Sequence, residues 1–150
     1  MKPEKEEELK TLGEFLRYYA TRIGKIPEDS SSHPFNVLTK NIEMYGKSKA
    51  LEGLRQAVND CIEDSYDWNQ KVIPRLDKEF RDRGLVTISE LRMKHGQKFK
   101  LILKRGKIRN ETEFYMLNGI VCDTGIVSDE GTLALIEKMI GEFEAKVGAK

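Results

Sequence analysis

One run of eighteen residues carries most of the sequence signal that bears on function. The run from Arg92 to Arg109 holds eight Lys or Arg and no Asp or Glu, although the 150-residue chain has a formal net charge of only +1. The segment 110–150 that follows holds eight acidic residues against three basic ones. Adjacent blocks of opposite sign predict either two faces that pair within the chain or a surface that attracts a charged partner.

Nucleic-acid binding is one interpretation of this basic run. The segments 97–105 and 110–122, with a turn at Gly106, outline a helix-turn-helix, and cationic side chains neutralise phosphates. The second helix, however, begins Asn-Glu-Thr-Glu, and a recognition helix presents its N-terminal end to the polyanion. A nucleic-acid-binding regulator that uses 92–109 therefore remains an alternative to a protein partner or to internal pairing. Internal pairing would use the acidic residues of the last predicted helix: Asp129, Glu130, Glu137, Glu142 and Glu144.

A second candidate for chemistry is a group of carboxylates at helical spacing. The group consists of Asp60, Glu63, Asp64 and Asp67. Magnesium-dependent all-α nucleotide hydrolases use carboxylates on successive turns, but they need two such motifs that converge from different helices. The other acidic stretch, Glu4 to Glu8, lies at a terminus. We therefore favour a solvated acidic face and keep a divalent-metal-dependent nucleotide hydrolase as a second alternative.

The remaining reactive residue types are few. His33 and His95 are the only histidines, too few for a histidine metal cluster, and His33 is expected in a loop. The two cysteines, Cys61 and Cys122, both lie among apolar residues and are expected to be reduced core residues. No phosphate-binding loop, dinucleotide fingerprint, CxxC or HExxH motif occurs. The sequence thus predicts no catalytic residue, no metal site and no cofactor.

Aromatic and basic side chains outside the apolar stripes are the candidates for partner contact. Tyr18 falls outside the stripe that includes Tyr19, and Tyr66 lies at a helix junction beside Trp68, which we expect in the core. Tyr, Trp and Arg supply most binding energy at protein interfaces. The predicted partner-binding residues are Tyr18, Arg22, Tyr66, Asp67, Lys98, Lys104, Arg105, Lys107 and Arg109.

The elements that must position these residues are helices. Apolar residues recur at spacings of three and four throughout, while period-two alternation is weak. We predict an all-α fold, a single compact bundle of about five to seven helices, and one domain over 1–150. The link 84–87 offers one point where two helical subdomains could join.

Local signals predict where the helices begin and end. Ser48, Asn110 and Ser128 are expected to be N-caps, and Thr87 with Glu90 matches a capping box. Gly24, Gly46, Gly84 and Gly106 are expected helix stops, and Gly96 interrupts the helix that Thr87 opens. Pro74 predicts either a kink or a helix start near Ile73.

Composition limits the cellular setting. The longest uninterrupted apolar run is four residues, so no membrane-spanning helix is predicted. The N-terminus, MKPEKEEELK, is too acidic and polar for a secretory signal. A cytoplasmic location without membrane contact is the resulting expectation.

The segment Leu103 to Tyr115, LKRGKIRNETEFY, resembles a pattern of small α-helical bacterial immunity proteins, including those of contact-dependent growth inhibition. The similarity extends over roughly the last 65 residues. It implies a protein that binds one cognate toxin tightly and blocks its active site, with no catalytic residue of its own. Immunity proteins against nucleases are commonly acidic, and this chain departs from that pattern through its basic run.

These observations lead to one leading hypothesis. The chain is predicted to be a non-enzymatic protein-binding module, and the most specific form of that hypothesis is an immunity protein that blocks a toxin. The expected partner is therefore a protein, with nucleic acid as the alternative.

Overall fold

Residues 1–122 and 129–148 are described by a computed structural model, and within them all regular structure is helical. The all-α prediction is confirmed. The predicted count of five to seven helices is wrong, because these residues form eight α-helices and one short 3₁₀ helix. The α-helices are α1 (Pro3–Arg22), α2 (Pro34–Tyr45), α3 (Lys47–Ser65), α4 (Ile73–Asp82), α5 (Ile88–His95), α6 (Gln97–Arg105), α7 (Glu111–Cys122) and α8 (Glu130–Gly148), and the 3₁₀ helix is Gln70–Val72.

Gly96 explains the additional helix. It is the C-cap of α5 and the N-cap of α6, and its backbone is extended (φ −78°, ψ 124°). A Cβ at this position would overlap the carbonyl oxygen of Arg92 and lie 3.0 Å from the hydroxyl of Tyr66. Because only glycine allows this close approach, the sequence breaks one expected helix into two.

Most of the predicted helix ends are confirmed. The Thr87 hydroxyl accepts a hydrogen bond from the Glu90 N–H (3.0 Å), and the Asn110 side chain accepts from the Glu113 N–H (2.9 Å). Gly106 ends α6 in the left-handed conformation that favours glycine (φ 73°). Helix α4 begins at Ile73, with Pro74 in its first turn, where a missing N–H costs nothing.

Two predicted caps differ in outcome. Ser48 is not an N-cap, because α3 already begins at Lys47, directly after Gly46. Ser128 lies outside the described residues. The side chain of Asp129, immediately before α8, accepts from the Gly131 N–H (3.2 Å) and the Thr132 hydroxyl (2.6 Å).

Contacts divide the chain into two compact units, Met1–Cys61 and Ile62–Lys150. The single-domain arrangement remains a prediction, and the link 84–87 lies inside the second unit. In the first unit α1 packs against α2, where Gly13 permits close approach of Leu38. The buried apolar residues of this unit are Leu12, Phe15, Leu16, Tyr19, Ala20, Leu38, Ala50, Leu51, Leu54, Val58 and Cys61.

In the second unit α7 occupies a central position. It packs against α5, α8 and the 3₁₀ helix, while α5 also contacts α4 and α6. A Cβ on Gly119 of α7 would lie 3.3 Å from the Ser89 hydroxyl of α5, which shows how closely these helices approach. The buried apolar residues of this unit are Ile62, Tyr66, Ile73, Phe80, Ile88, Leu91, Phe99, Ile102, Ile108, Met116, Leu117, Ile120, Ile136 and Met139.

The cysteines and the helix hydropathy test two further expectations. Both cysteines are free, and Cys61 is buried as predicted. Cys122 is exposed because it is the last residue of α7, so its expected place in the core is wrong. None of the helices in the described part of the chain has both the length and the apolar character needed to cross a membrane.

Candidate protein-binding face on the sixth helix

Helix α6 buries one side and exposes a leucine on the other. Phe99 and Ile102 point into the second unit and are buried, as the apolar pattern predicts. Leu101 lies between them in sequence but on the opposite side of the helix, where 60% of its surface is exposed. Single exposed aliphatic side chains are common on protein surfaces, so the meaning of this exposure depends on the residues around Leu101.

Basic side chains surround this leucine. Lys98 and Lys104 lie three residues before and after it, and Arg105 lies four residues after it, so all three are its neighbours on the helix surface. Leu101, Lys104, Arg105 and Arg109 together line a shallow depression of about 370 Å³. We call Lys98, Leu101, Lys104, Arg105 and Arg109 the α6 face. The structure thus brings four predicted site residues together around Leu101.

Arg105 is held in place by α7. Its guanidinium donates to both carboxylate oxygens of Glu113, at 2.8 and 3.2 Å, and to the carbonyl oxygen of Lys107 at 3.0 Å. The Arg109 N–H donates to the same carboxylate at 2.8 Å. Burial alone would raise the pKa of Glu113, but these donors outweigh it and the pKa lies below its ordinary value. The Glu113 carboxylate therefore fixes the link from α6 to α7 that carries the basic residues.

Lys98 and Tyr66 form a second support. The ammonium of Lys98 lies 4.5 Å from the centre of the Tyr66 ring, a cation–π distance. Tyr66 was expected at the surface, and this is wrong, since only 7% of it is exposed. Burial raises the pKa of Tyr66 to about 12, so the phenol stays protonated. The buried Tyr66 ring thus contacts the α6 face through Lys98.

Arg92, the first residue of the basic run, does not belong to the surface. Its side chain is completely buried, donates to the Ser65 hydroxyl (2.9 Å) and to the Ser65 carbonyl (3.0 Å), and stacks 4.7 Å from the centre of the Tyr66 ring. Burial lowers the pKa of Arg92. One of the eight predicted surface charges is therefore part of the interior.

The predicted pairing of the basic run with the last helix takes a different form. The ion pairs that the run makes in the described residues join Lys94 to Glu90 (3.1 Å) and Arg105 to Glu113 (2.8 Å), not to acids of α8. The link at 106–108 does lie against α8, where Lys107 lines a depression of about 190 Å³ with Glu142. Most of the basic charge on α6 is thus left facing solvent.

The other predicted site residues lie elsewhere. Asp67 is exposed at the end of α3, and Trp68 is half-buried. Tyr18 and Arg22 lie on α1 in the first unit, Tyr18 half-buried and Arg22 exposed. Tyr18 and Arg22 therefore belong to a different unit from the α6 face.

The sequence prediction missed Leu101, although a signal was present. Leu101 lies on the opposite side of a 3.6-residue repeat from the buried Phe99 and Ile102. A large aliphatic residue that breaks the stripe within a basic helix is the pattern that would have identified it.

The histidine and acidic candidates do not form sites. His33 lies in the loop before α2, as expected, and its side chain caps that helix. Its Nδ1 accepts from the Phe35 N–H at 3.1 Å, and its Nε2 lies 2.9 Å from the Thr21 hydroxyl. Over residues 1–122 and 129–148, no group of three or more His, Cys, Asp or Glu side chains is arranged to hold a metal ion.

Comparison with known proteins adds no identity. The chain matches no protein-family model, and neither the curated proteins nor the solved structures contain a significant match. Function must therefore be inferred from the residues of the site.

Proposed function

We propose that this chain is a non-enzymatic protein-binding module whose α6 face docks on a negatively charged protein surface. The observation that carries this proposal is the exposure of Leu101 in one depression with the basic residues Lys104, Arg105 and Arg109. Interfaces commonly place an apolar anchor at their centre and polar groups around it, where those groups exclude water from the anchor. The fitting partner has an apolar socket bordered by Asp or Glu.

Leu101 also favours a protein partner over nucleic acid. Phosphate contacts need only the cations, and an aliphatic side chain adds nothing to counterion release. A socket that accepts a leucine, in contrast, is an ordinary feature of protein surfaces. Lys98, Lys104 and Arg109 then supply electrostatic complementarity, which mainly raises the association rate and the specificity.

The most specific form of the proposal is a bacterial immunity protein. It rests on the resemblance of the segment 103–115 to such proteins, and this segment includes Lys104, Arg105 and Arg109 of the α6 face. The cognate toxin would carry the acidic socket at or beside its active site. A toxin that must itself bind phosphates has a basic active site, so the basic α6 face fits a toxin of a different chemistry.

Affinity purification from the native cell, with matched variants, tests the binding role. Wild-type protein should retain one stoichiometric partner, and Leu101→Asp should reduce its recovery at least about tenfold, because a charge cannot enter the apolar socket. Leu135→Asp on α8 is the control, since Leu135 is another exposed leucine (36%) in the same unit. Equal recovery by wild type and Leu101→Asp would exclude the α6 face as the binding surface.

The immunity role needs its own experiment. A gene next to this one should encode a toxin-like domain, and co-expression of the chain should protect cells from that toxin. Protection should be lost in Leu101→Asp and kept in Leu135→Asp. If no neighbouring gene encodes such a domain and no partner is recovered, the immunity role is wrong.

The nucleic-acid alternative predicts a different pattern. Binding to duplex DNA or RNA at low salt should then fall when Lys104 and Arg105 are both replaced by Ala, and should weaken steeply with salt. The variant Leu101→Asp should weaken nucleic-acid binding only through its added negative charge. No binding at low salt ends this alternative.

A further inference from the structure

Helix α2 in the first unit leaves several large apolar residues uncovered. Of its twelve residues only Leu38 is buried. Three large apolar residues of this helix are exposed: Val37 (43%), Met44 (58%) and Tyr45 (61%). The inner side of α2 packs against α1, so these exposed residues form an apolar surface that is open to a partner.

Two of these exposed residues, Val37 and Met44, share a stripe of α2 with the half-buried Asn41. Val37, Asn41 and Met44 recur at spacings of four and three, so they lie along one side of the helix. Lys40 and Glu43 each precede a residue of the stripe by one position, so both lie along the same flank of it. Both are exposed, and neither forms an ion pair within the described residues.

We propose that α2 is a self-association surface, on which a second copy of this chain docks through its own α2 in antiparallel orientation. The charge pattern carries the inference. A two-fold axis near Asn41 places Lys40 of each copy opposite Glu43 of the other, and places Val37 beside Met44 on both sides. Such a contact is self-complementary, as a two-fold interface must be.

A groove beside the stripe supports the proposed antiparallel contact. It has a volume of about 270 Å³ and runs between α2 and α3. Val37 and Asn41 line it on α2, and the small residues Ala50, Gly53 and Ala57 line it on α3. In the antiparallel arrangement Met44 of the second copy lies beside Val37, at the mouth of this groove. Methionine is flexible enough to fill such an irregular space.

The size of the contact sets the expected affinity. Helix α2 is about 18 Å long. A contact between two helices of this length buries less area than a standard stable interface, so we expect a weak and reversible dimer. The inference does not depend on the proposed function, because the α6 face lies in the other unit.

Analytical ultracentrifugation of the full chain from about 1 to 500 µM tests the inference. Wild-type protein should dimerise with rising concentration, and Met44→Lys should weaken dimerisation at least about 30-fold. Lys40→Glu and Glu43→Lys should each weaken it about 3- to 10-fold, because each creates two like-charge pairs. Circular dichroism should show unchanged helix content in all three variants, since the substituted residues are exposed.

Charge exchange tests the antiparallel register. The double variant Lys40→Glu/Glu43→Lys should dimerise like wild type, and an equimolar mixture of the two single variants should form a heterodimer. A monomer at every concentration would overturn the inference, as would a dimer that is insensitive to Met44→Lys. If both single variants weaken the dimer and neither combination restores it, the antiparallel pairing is wrong. Leu135→Lys, in the other unit, is the control and should dimerise normally.

Discussion

The basic run contains one charge that is buried at its start and others that are exposed in its later half. Arg92 is completely buried and hydrogen-bonded to Ser65, whereas Lys104, twelve residues later, is exposed on the α6 face. Arg92 lies on the side of α5 that also carries the buried Ile88 and Leu91, and Lys104 lies opposite the buried side of α6. The position of a charge relative to the apolar stripe therefore decides whether it stabilises the fold or meets a partner.

The largest expected effect belongs to the buried end. Arg92→Ala should lower the free energy of unfolding by about 3 kcal/mol, because it leaves a cavity and removes the hydrogen bonds to Ser65. Lys104→Ala should change it by less than about 0.5 kcal/mol. Urea unfolding followed by the fluorescence of Trp68, the single tryptophan and a member of the same unit, measures both.

Arg92→Met separates the volume of this side chain from its charge. The Nη1 atom of Arg92 has no hydrogen-bond partner within the described residues. Methionine fills most of the space without a buried charge, so it should recover at least half of the stability lost in Arg92→Ala. A loss below about 1 kcal/mol in Arg92→Ala would contradict the structural role of this arginine.

An intermediate effect is expected where the fold and the surface meet, at Glu113. Its pKa is lower in the folded chain than its ordinary value of 4.5, so its contribution to stability is present above that value and is lost as the pH falls through the folded pKa. Glu113→Gln should cost about 1 kcal/mol at pH 7. The difference should shrink between pH 5 and pH 3. Parallel pH profiles for the two proteins would show that the pairing with Arg105 contributes nothing.

Helix periodicity and local end signals predicted most of the fold. The apolar stripes identify the helices, and Thr87, Asn110 and Gly106 mark ends that the structure confirms. These signals succeed because a cap or a left-handed stop depends on residues within one turn. The interruption at Gly96 was also predicted, but its cause is only partly local, because a Cβ there would overlap the carbonyl oxygen of Arg92 and also approach the hydroxyl of Tyr66, thirty residues away.

The candidate site was predictable only in part. Charge spacing indicated Lys98, Lys104, Arg105 and Arg109, which the structure places around one leucine. It could not separate these residues from Arg92, because burial of a charge depends on tertiary packing. The exposure of Val37 and Met44 on α2 was also missed, because helix periodicity identifies the apolar stripe of a helix but not what covers its other side.

The smallest effect tests whether the α6 face is tied to the interior. Lys98 lies over the Tyr66 ring, which also stacks on Arg92, whereas Lys100 makes no ring contact within the described residues. Lys98→Gln should therefore cost about 0.5 kcal/mol, a shift of about 0.3 M in the urea midpoint, and Lys100→Gln should cost nothing measurable. Glutamine keeps the helix propensity of lysine, so the difference between the two variants reports the cation–π contact alone. Equal urea midpoints for the two variants would mean that the Lys98 side chain adds as little to the stability of the fold as Lys104. The buried Arg92 and the exposed α6 face would then be connected only through the backbone.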